Sequence, residues 1–533
     1  MTWYQEMVWW ERYWDPQDRE YPPMSEIWYL PQKPSIPEVR SAFAEVMARQ
    51  EVLRTFLDQD ELGIAFQGVR PLDAVTPPLR VMELSRLRAD IDGALGTFRR
   101  PGPGSRGRLP WRAVLGVKDD RVLTVCLAAD RGLMDGWSMV EFRRQLQASL
   151  LGRLGPRSIP LNPLERAAHE RSRDGRGKAD AALSRLARVF ASAPESLVPG
   201  SARDPAPPPY KIAVMRSTEL LADTDLVCHR LRLTRPTVVL GVLVAVLALR
   251  TGQWSCPIRS LVANRDSNRE RETIQGLYQR AYLNIDLSGD PSMPEVLRRT
   301  WQESVSAYQY TRYPEDEVRE LRVHAARARG FVPKFEFIFD FMVSGLPSRP
   351  VRADSRRARQ GALPPVEHQW RTAGAPEDIF IAQVAGEEMT WSLRSDSAPL
   401  TPEEVDQVLR WTARGLRLLT EEHNGLRLSE FGRRLGIEPR ASEPPSERCS
   451  DGGGGPSCLA EAALAAALLA THPLEEVDLT QDYVGAGGRL HLVSRFAAEL
   501  SRRGYHGLRA EHVESPMSLR AVAAEMSCEE EQI

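Results

Sequence analysis

Residues 128–138 read AADRGLMDGWS. This is the end of an apolar strand running into a loop. The preceding residues form a strand pair: RAVLGV, a turn at KDD, then RVLTVCLA. The second strand is almost wholly apolar, the pattern of a strand covered on both faces. Gly136 suits a tight backbone turn, and Ser138 is placed to cap a helix that starts near it. Asp130, Arg131 and Asp135 are the candidate functional side chains that this loop delivers.

Composition bounds what surrounds the loop. A chain of 533 residues holds several domains at about 100–200 residues each. Apolar residues make up 42% of it, enough for real cores. A net charge of −2 excludes the basic excess of a strong nucleic-acid binder. The six cysteines (Cys126, Cys228, Cys256, Cys449, Cys458, Cys528) form no Cys-x-x-Cys pair, and the nine histidines follow no ligand spacing. Free thiols and no metal site are therefore expected. The opening MTWYQEMVWWERYW lacks a basic segment followed by an apolar one, so it is not a signal peptide. The longest apolar run, residues 238–249, has twelve residues, against about 20 for a spanning helix. It is expected to be a core helix, with no membrane association and a cytoplasmic location.

Outward from the loop, residues 38–56 show helical spacing, with Phe43, Val46, Met47 and Leu53 on one face. A charged, Ala-rich stretch over 171–193 has weak helical character. VPGSARDPAPPPY, residues 198–210, reads as a linker or long surface connection. Residues 210–419 alternate strands (335–344 and 389–395 among them) with helices. RASEPPSERCSDGGGGPS, residues 440–457, reads as a flexible linker. The Ala-, Leu- and Glu-rich segment beyond it reads as a small helical bundle.

These motifs, in this order, resemble the condensation domains of nonribosomal peptide synthetases. That family writes the central segment His-His-x-x-x-Asp-Gly-x-Ser; here Asp135, Gly136 and Ser138 match, and Asp130 and Arg131 replace the histidines. RQEVLRTFL (49–57) resembles Arg-His-Glu-x-Leu-Arg-Thr-x-Phe, with Gln50 for His. LVANRDS holds the family's Asn-Arg pair as Asn264 and Arg265. IQGLYQRAYLNIDL (274–287) aligns without gaps to the fifth motif but keeps few of its polar residues. AYQYTRYPEDEV keeps Gln309 and Pro314 at a longer spacing, and the aromatic N-terminus resembles the family's opening segment. The resemblance spans roughly residues 1–430. The tail resembles a peptidyl carrier domain: Gly487, Gly488, Arg495 and Phe496 match, but Leu490 falls where the carrier serine receives phosphopantetheine.

The resemblance implies an α/β (α+β) fold of two chloramphenicol-acetyltransferase-like lobes in a V, with a small C-terminal helical bundle. It divides the chain into a lobe at 1–195, a second at 210–430, a linker at 431–457 and a carrier-like bundle at 458–533. It implies that Asp135 pairs with Arg265 across the lobes, with a structural more than a catalytic part. The family's second histidine orients or deprotonates the attacking amine, which a neutral imidazole can do near pH 7. Arginine stays charged and cannot. Arg131 is then either a cation filling the tunnel between the lobes or an electrostatic group. Asp130 is a loop acid or, alternatively, a base. The aromatic N-terminus is expected to pack between the lobes. No cofactor is expected to be covalently attached, since Leu490 has no hydroxyl; the phosphopantetheine arms of partner carrier proteins remain possible visitors. Two functions follow. One is a non-catalytic recruiting protein of a peptide- or antibiotic-assembly pathway, binding carriers or other enzymes. The other is an active noncanonical condensation enzyme, moving an acyl or aminoacyl group from a carrier thioester to an amine.

Overall fold

The strand pair that leads to the central loop is a two-residue hairpin. Strands Trp111–Lys118 and Arg121–Ala129 pair antiparallel. Asp119 and Asp120 make the turn, both at positive φ (51° and 57°), as the hairpin twist requires. The computed structural model describes residues 1–13, 20–21, 23–60, 64–99, 109–155, 160–198, 210–344, 363–371, 378–395, 400–422, 425–439 and 459–528.

Arg121–Ala129 lies inside a four-stranded sheet. Met24–Tyr29 flanks it on one side, and Trp111–Lys118 followed by Leu79–Glu83 on the other. Its last six residues are buried, which explains its unbroken apolar run. Helices Ile36–Arg49 and Gly136–Leu150 pack against each other beside this sheet. Phe43 of the first helix and Phe142 of the second contact Trp111, and Phe142 also meets Trp28 edge-on. The helix expected over 38–56 ends at Arg49. Gln50 adopts an extended conformation, a 3₁₀ turn follows at Glu51–Arg54, and Thr55–Gln59 is a strand.

The second half builds a seven-stranded mixed sheet. Its order is Gln279–Asp286, Ser255–Val262, Phe337–Ser344, Asp378–Ala385, Glu388–Ser395, Tyr210–Ser217, Glu367–Arg371. The second, third and fourth strands run parallel and the remaining pairs antiparallel. The apolar run at 238–249 lies within helix Arg235–Thr251, which is buried on all sides in this core, as a helix apolar all round must be. Among the described residues no single helix is long and apolar enough to cross a membrane. This is a mixed α/β fold whose two main sheets, of four and seven strands, each have their own core. Helix Arg173–Ser192, from the weakly helical stretch, packs on strand Gln279–Asp286 and helix Glu315–Arg329 of the second half.

Beyond residue 458 the tail forms helices Leu459–Thr471, Val493–Arg502, Ala510–Glu514 and Leu519–Glu525 around its own core. The two proline- and glycine-rich connections fall almost wholly outside the described residues. Cys126, Cys228 and Cys256 are free. Burial raises all three thiols, Cys228 to about 12, so they stay protonated at neutral pH.

Gly415, on helix Pro402–Glu421, sits close against the second core. A Cβ there would come to 2.6 Å from the Phe431 ring and 3.2 Å from Val242. Alanine gains about 1 kcal/mol of helix propensity, whereas overpacking costs about 1–3 kcal/mol. With Phe431 fully buried, overpacking wins. Gly415→Ala is expected to lower the urea midpoint by an equivalent of about 1 kcal/mol; a raised midpoint would contradict this packing.

Candidate functional site at the central loop

The loop turns on Asp130. Its carbonyl accepts from the Leu133 and Met134 amides (3.2 and 3.1 Å), and its carboxylate accepts from the Gly132 amide at 2.7 Å. Asp130 is buried, and the Arg131 side chain that follows is exposed.

Asp135, and not Ser138, is the N-cap of helix Gly136–Leu150. Its carboxylate Oδ1 accepts from the Ser138 amide (2.8 Å) and hydroxyl (2.6 Å). Ser138, in the third helical position, accepts in return from the Asp135 amide at 3.2 Å. Asp135 thus cages its own helix start, a capping box with the usual residue types exchanged. Gly136 is not required by the turn. Its φ is outside the left-handed region, and a Cβ there would meet nothing within 4 Å.

The rest of Asp135 faces the second half of the chain. Arg265 Nη2 donates to both carboxylate oxygens (2.9 and 3.1 Å), and Oδ2 also accepts from the Leu277 and Tyr278 amides (2.9 and 3.3 Å). Arg265 in turn donates to the carbonyls of Glu270, Thr273 and Gln275 at 2.6–3.0 Å. Both side chains are almost wholly buried. Burial pushes the Asp135 carboxyl up, but the Arg265 guanidinium and the donors from Ser138 and Leu277 more than reverse it, leaving it below the ordinary carboxylate range. A carboxylate so fully engaged has no lone pair positioned for proton transfer.

Two residues clasp the loop from outside. The Tyr4 hydroxyl lies between the carbonyls of Arg131 and Met134, the latter at 2.8 Å. The Gly276 amide donates to the Leu133 carbonyl at 2.8 Å. A Cβ at Gly276 would come to 2.0 Å from the Tyr4 ring, so only glycine lets the two meet. Tyr4 also contacts Tyr278 edge-on at 5.3 Å. Neither Tyr4 nor Gly276 was singled out as a site residue; each lay inside a segment read for its general resemblance. The aromatic N-terminus is indeed packing: Trp3, Tyr4, Trp9 and Trp10 are all buried. Gln50, standing for a histidine, ties the halves together. Its amide donates to Gln145 (3.1 Å) and to the Glu272 carbonyl (2.7 Å), and its oxygen accepts from the Ile274 amide (3.2 Å).

Leu490 lies far along the chain from this loop. It opens the 3₁₀ turn before helix Val493–Arg502 and is 0% exposed. Its amide donates to Glu320 Oε1 at 3.0 Å. His491 beside it is exposed, 3.7 Å from Asp316. Among the described residues no group of three His, Cys, Asp or Glu side chains is placed to hold a metal.

Comparison with known proteins puts this geometry in a family of folds. The X-domain of teicoplanin biosynthesis superposes with a TM-score of 0.60 over 81% of this chain and 96% of its own, at 18% identity. The first condensation domain of the calcium-dependent antibiotic synthetase does so at 0.57, covering 81% and 98%, at 16% identity. The chain has the condensation-domain fold. A complex of the teicoplanin X-domain with OxyB matches at 0.58, covering 81% and 95%, at 17% identity. The sequence relatives of this condensation-like chain are nonribosomal peptide synthetases. Malpibaldin synthetase of Mortierella alpina is 26% identical over 244 residues, 44% of this chain and 4% of that protein. The dimodular nonribosomal peptide synthase of Bacillus subtilis (strain 168) is 23% identical over 317 residues, 57% and 13%. The chain therefore spans a small part of the relatives it matches. No protein-family profile matches it.

Removing one side of the Asp135–Arg265 pair leaves a buried charge, which costs about 3–5 kcal/mol. Asp135→Ala is expected to lose that much in chemical denaturation. The pH dependence follows from the sign of the shift. The folded pKa is below the unfolded value of about 3.9, so the stabilisation is complete above that value and drains away as pH falls through the folded pKa. Wild type should lose more stability than Asp135→Ala on acidification below about pH 4; equal acid sensitivity would refute the assignment. At the tail, Leu490→Ser is expected to remain unmodified when co-expressed with a permissive phosphopantetheinyl transferase. Residue 490 is buried, so a serine hydroxyl placed there is out of a transferase's reach; an intact mass carrying an added arm would show that this turn opens to solvent.

Proposed function

We propose that this chain is a non-catalytic, condensation-like interaction protein of a nonribosomal peptide pathway. The observation that carries the reading is the central loop itself. Its imidazole positions hold Asp130, folded back onto its own loop, and Arg131, a permanent cation. The one remaining motif acid, Asp135, is consumed by Arg265, Ser138 and two backbone amides. A backbone competent for the fold is thus kept without an imidazole at either position. The tail is read as a degenerate carrier-like bundle, with Leu490 in place of the loaded serine. The partner would be a carrier protein or another enzyme of the same pathway. The complex of the teicoplanin X-domain with OxyB is the precedent among proteins of this fold.

A second reading has one observation in its favour: the Arg131 guanidinium is exposed beside the loop. There it could stabilise a developing oxyanion while two tethered reactants supply the proximity. A condensation assay with loaded donor and acceptor carriers from the neighbouring pathway separates the two. No turnover is expected from wild type, and Arg131→His alone should not restore it, because Asp130 and Gln50 also depart from the family. Robust wild-type turnover that falls by about 10²–10³ in Arg131→Ala and is not recovered in Arg131→Lys would establish the enzyme instead.

A further inference from the structure

The tail is joined to the rest of the protein at helix Glu315–Arg329, and the two surfaces match in charge. Arg327 forms a two-pronged pair with Asp482 (2.6 and 3.0 Å). A Cβ on the neighbouring Gly485 would come to 2.2 Å from its guanidinium, so the seat is built around a glycine. Arg319 pairs with Glu514 of the tail. Glu320 accepts from the Leu490 amide and faces Arg489 at 3.4 Å. Between these pairs the contact is apolar. Val323 and Trp10 are buried in the same cluster as Leu490, Tyr483 and Phe496 of the tail, and Arg319 lies over the Trp10 ring at 5.2 Å.

Trp10 belongs to a short helical strut that begins at the central loop. Thr2 caps helix Trp3–Val8 with a reciprocal capping box, and the Trp3 amide donates to Glu170 at 2.8 Å. Helical turns continue through Tyr13. One end of the strut carries Tyr4, held against the Arg131 and Met134 carbonyls. The other end carries Trp10, held in the core of the tail. The step of six residues from one to the other spans about 9 Å of helix.

We propose that the tail is a fixed brace in cis, which holds the central loop in its conformation through the strut from Tyr4 to Trp10. A shuttling carrier must leave its seat; this bundle would expose Trp10 and Leu490, take Glu514 from Arg319 and leave Arg327 without Asp482 if it did. The inference is independent of whether the loop catalyses, since it concerns only what fixes the loop.

Hydrogen–deuterium exchange of the full chain tests it. The variants are Asp482→Asn combined with Gly485→Leu, which weakens the ion pair and drives a side chain against the retained Arg327 guanidinium from the tail side, and Tyr4→Phe, which cuts the strut at the loop. In the double variant, peptides covering 130–136 should exchange about 2- to 30-fold faster, the range expected of coupling through packed contacts. Helix Glu315–Arg329 should lose protection with them, while strands Asp378–Ala385 and Glu388–Ser395 keep theirs. Tyr4→Phe should speed the loop alone and leave the tail protected. Unchanged loop exchange when the helix has lost protection overturns the brace. Full protection of both helix and tail in the double variant overturns the seat. Loss spread over both sheets overturns the strut as the route.

Discussion

The Asp135–Arg265 pair is the constraint on which the remaining features of the centre depend. The carboxylate does four jobs with two oxygens: it caps helix Gly136–Leu150, holds the Ser138 hydroxyl, neutralises Arg265 and receives the Leu277 and Tyr278 amides. Arg265 then gathers three carbonyls from the segment between residues 270 and 275. A contact between residues 130 positions apart in sequence thereby sets both the start of a helix and the path of a loop. In a dry setting such a pair is worth keeping when its donors and acceptors are largely satisfied; here the carboxylate is fully engaged, and of the Arg265 guanidinium only Nε is left without a hydrogen-bond partner.

Much of the architecture was legible in the residues. The hairpin at 111–129 could be read because a doubly buried strand has no polar face to conceal and the polar KDD between the two apolar runs marks a turn; the turn itself is two residues, since Lys118 belongs to the strand. Helix Arg235–Thr251 was legible for the same reason, its apolar run being too short to span a membrane and too long to face water. The break after Arg49 was not. Leu53 continues the helical spacing by coincidence, and the chain leaves the helix because Gln50 is drawn to Gln145, Glu272 and Ile274, contacts with no local signature. The capping role was assigned to Ser138 when Asp135 holds it, because both residue types cap well and only the contact with Arg265 fixes the aspartate at the helix start. The part of Gly136 was misjudged because glycine in a loop suggests strained backbone, which its φ does not show.

In the reading proposed above, the centre separates two properties that a catalytic motif ordinarily joins. The residues that shape the loop are bonded across both halves of the chain, while the positions assigned to proton exchange carry a buried loop acid and an exposed arginine. On that reading, retaining the scaffold alone is what a binding surface of fixed shape requires, because shape is set by the backbone and the backbone by Asp135, Gly276 and Tyr4.

The contact of Gly276 with the Tyr4 ring carries a consequence for descent. A methyl group at 276 and an aromatic ring at 4 cannot occupy the same chain without one element moving. Drift at either position is therefore not free: the aromatic must shrink before the glycine can grow, and a lineage that grows the glycine first passes through a misfit. The two positions should change together in any set of homologues that keeps this loop, leaving a record of contact between residues 272 positions apart.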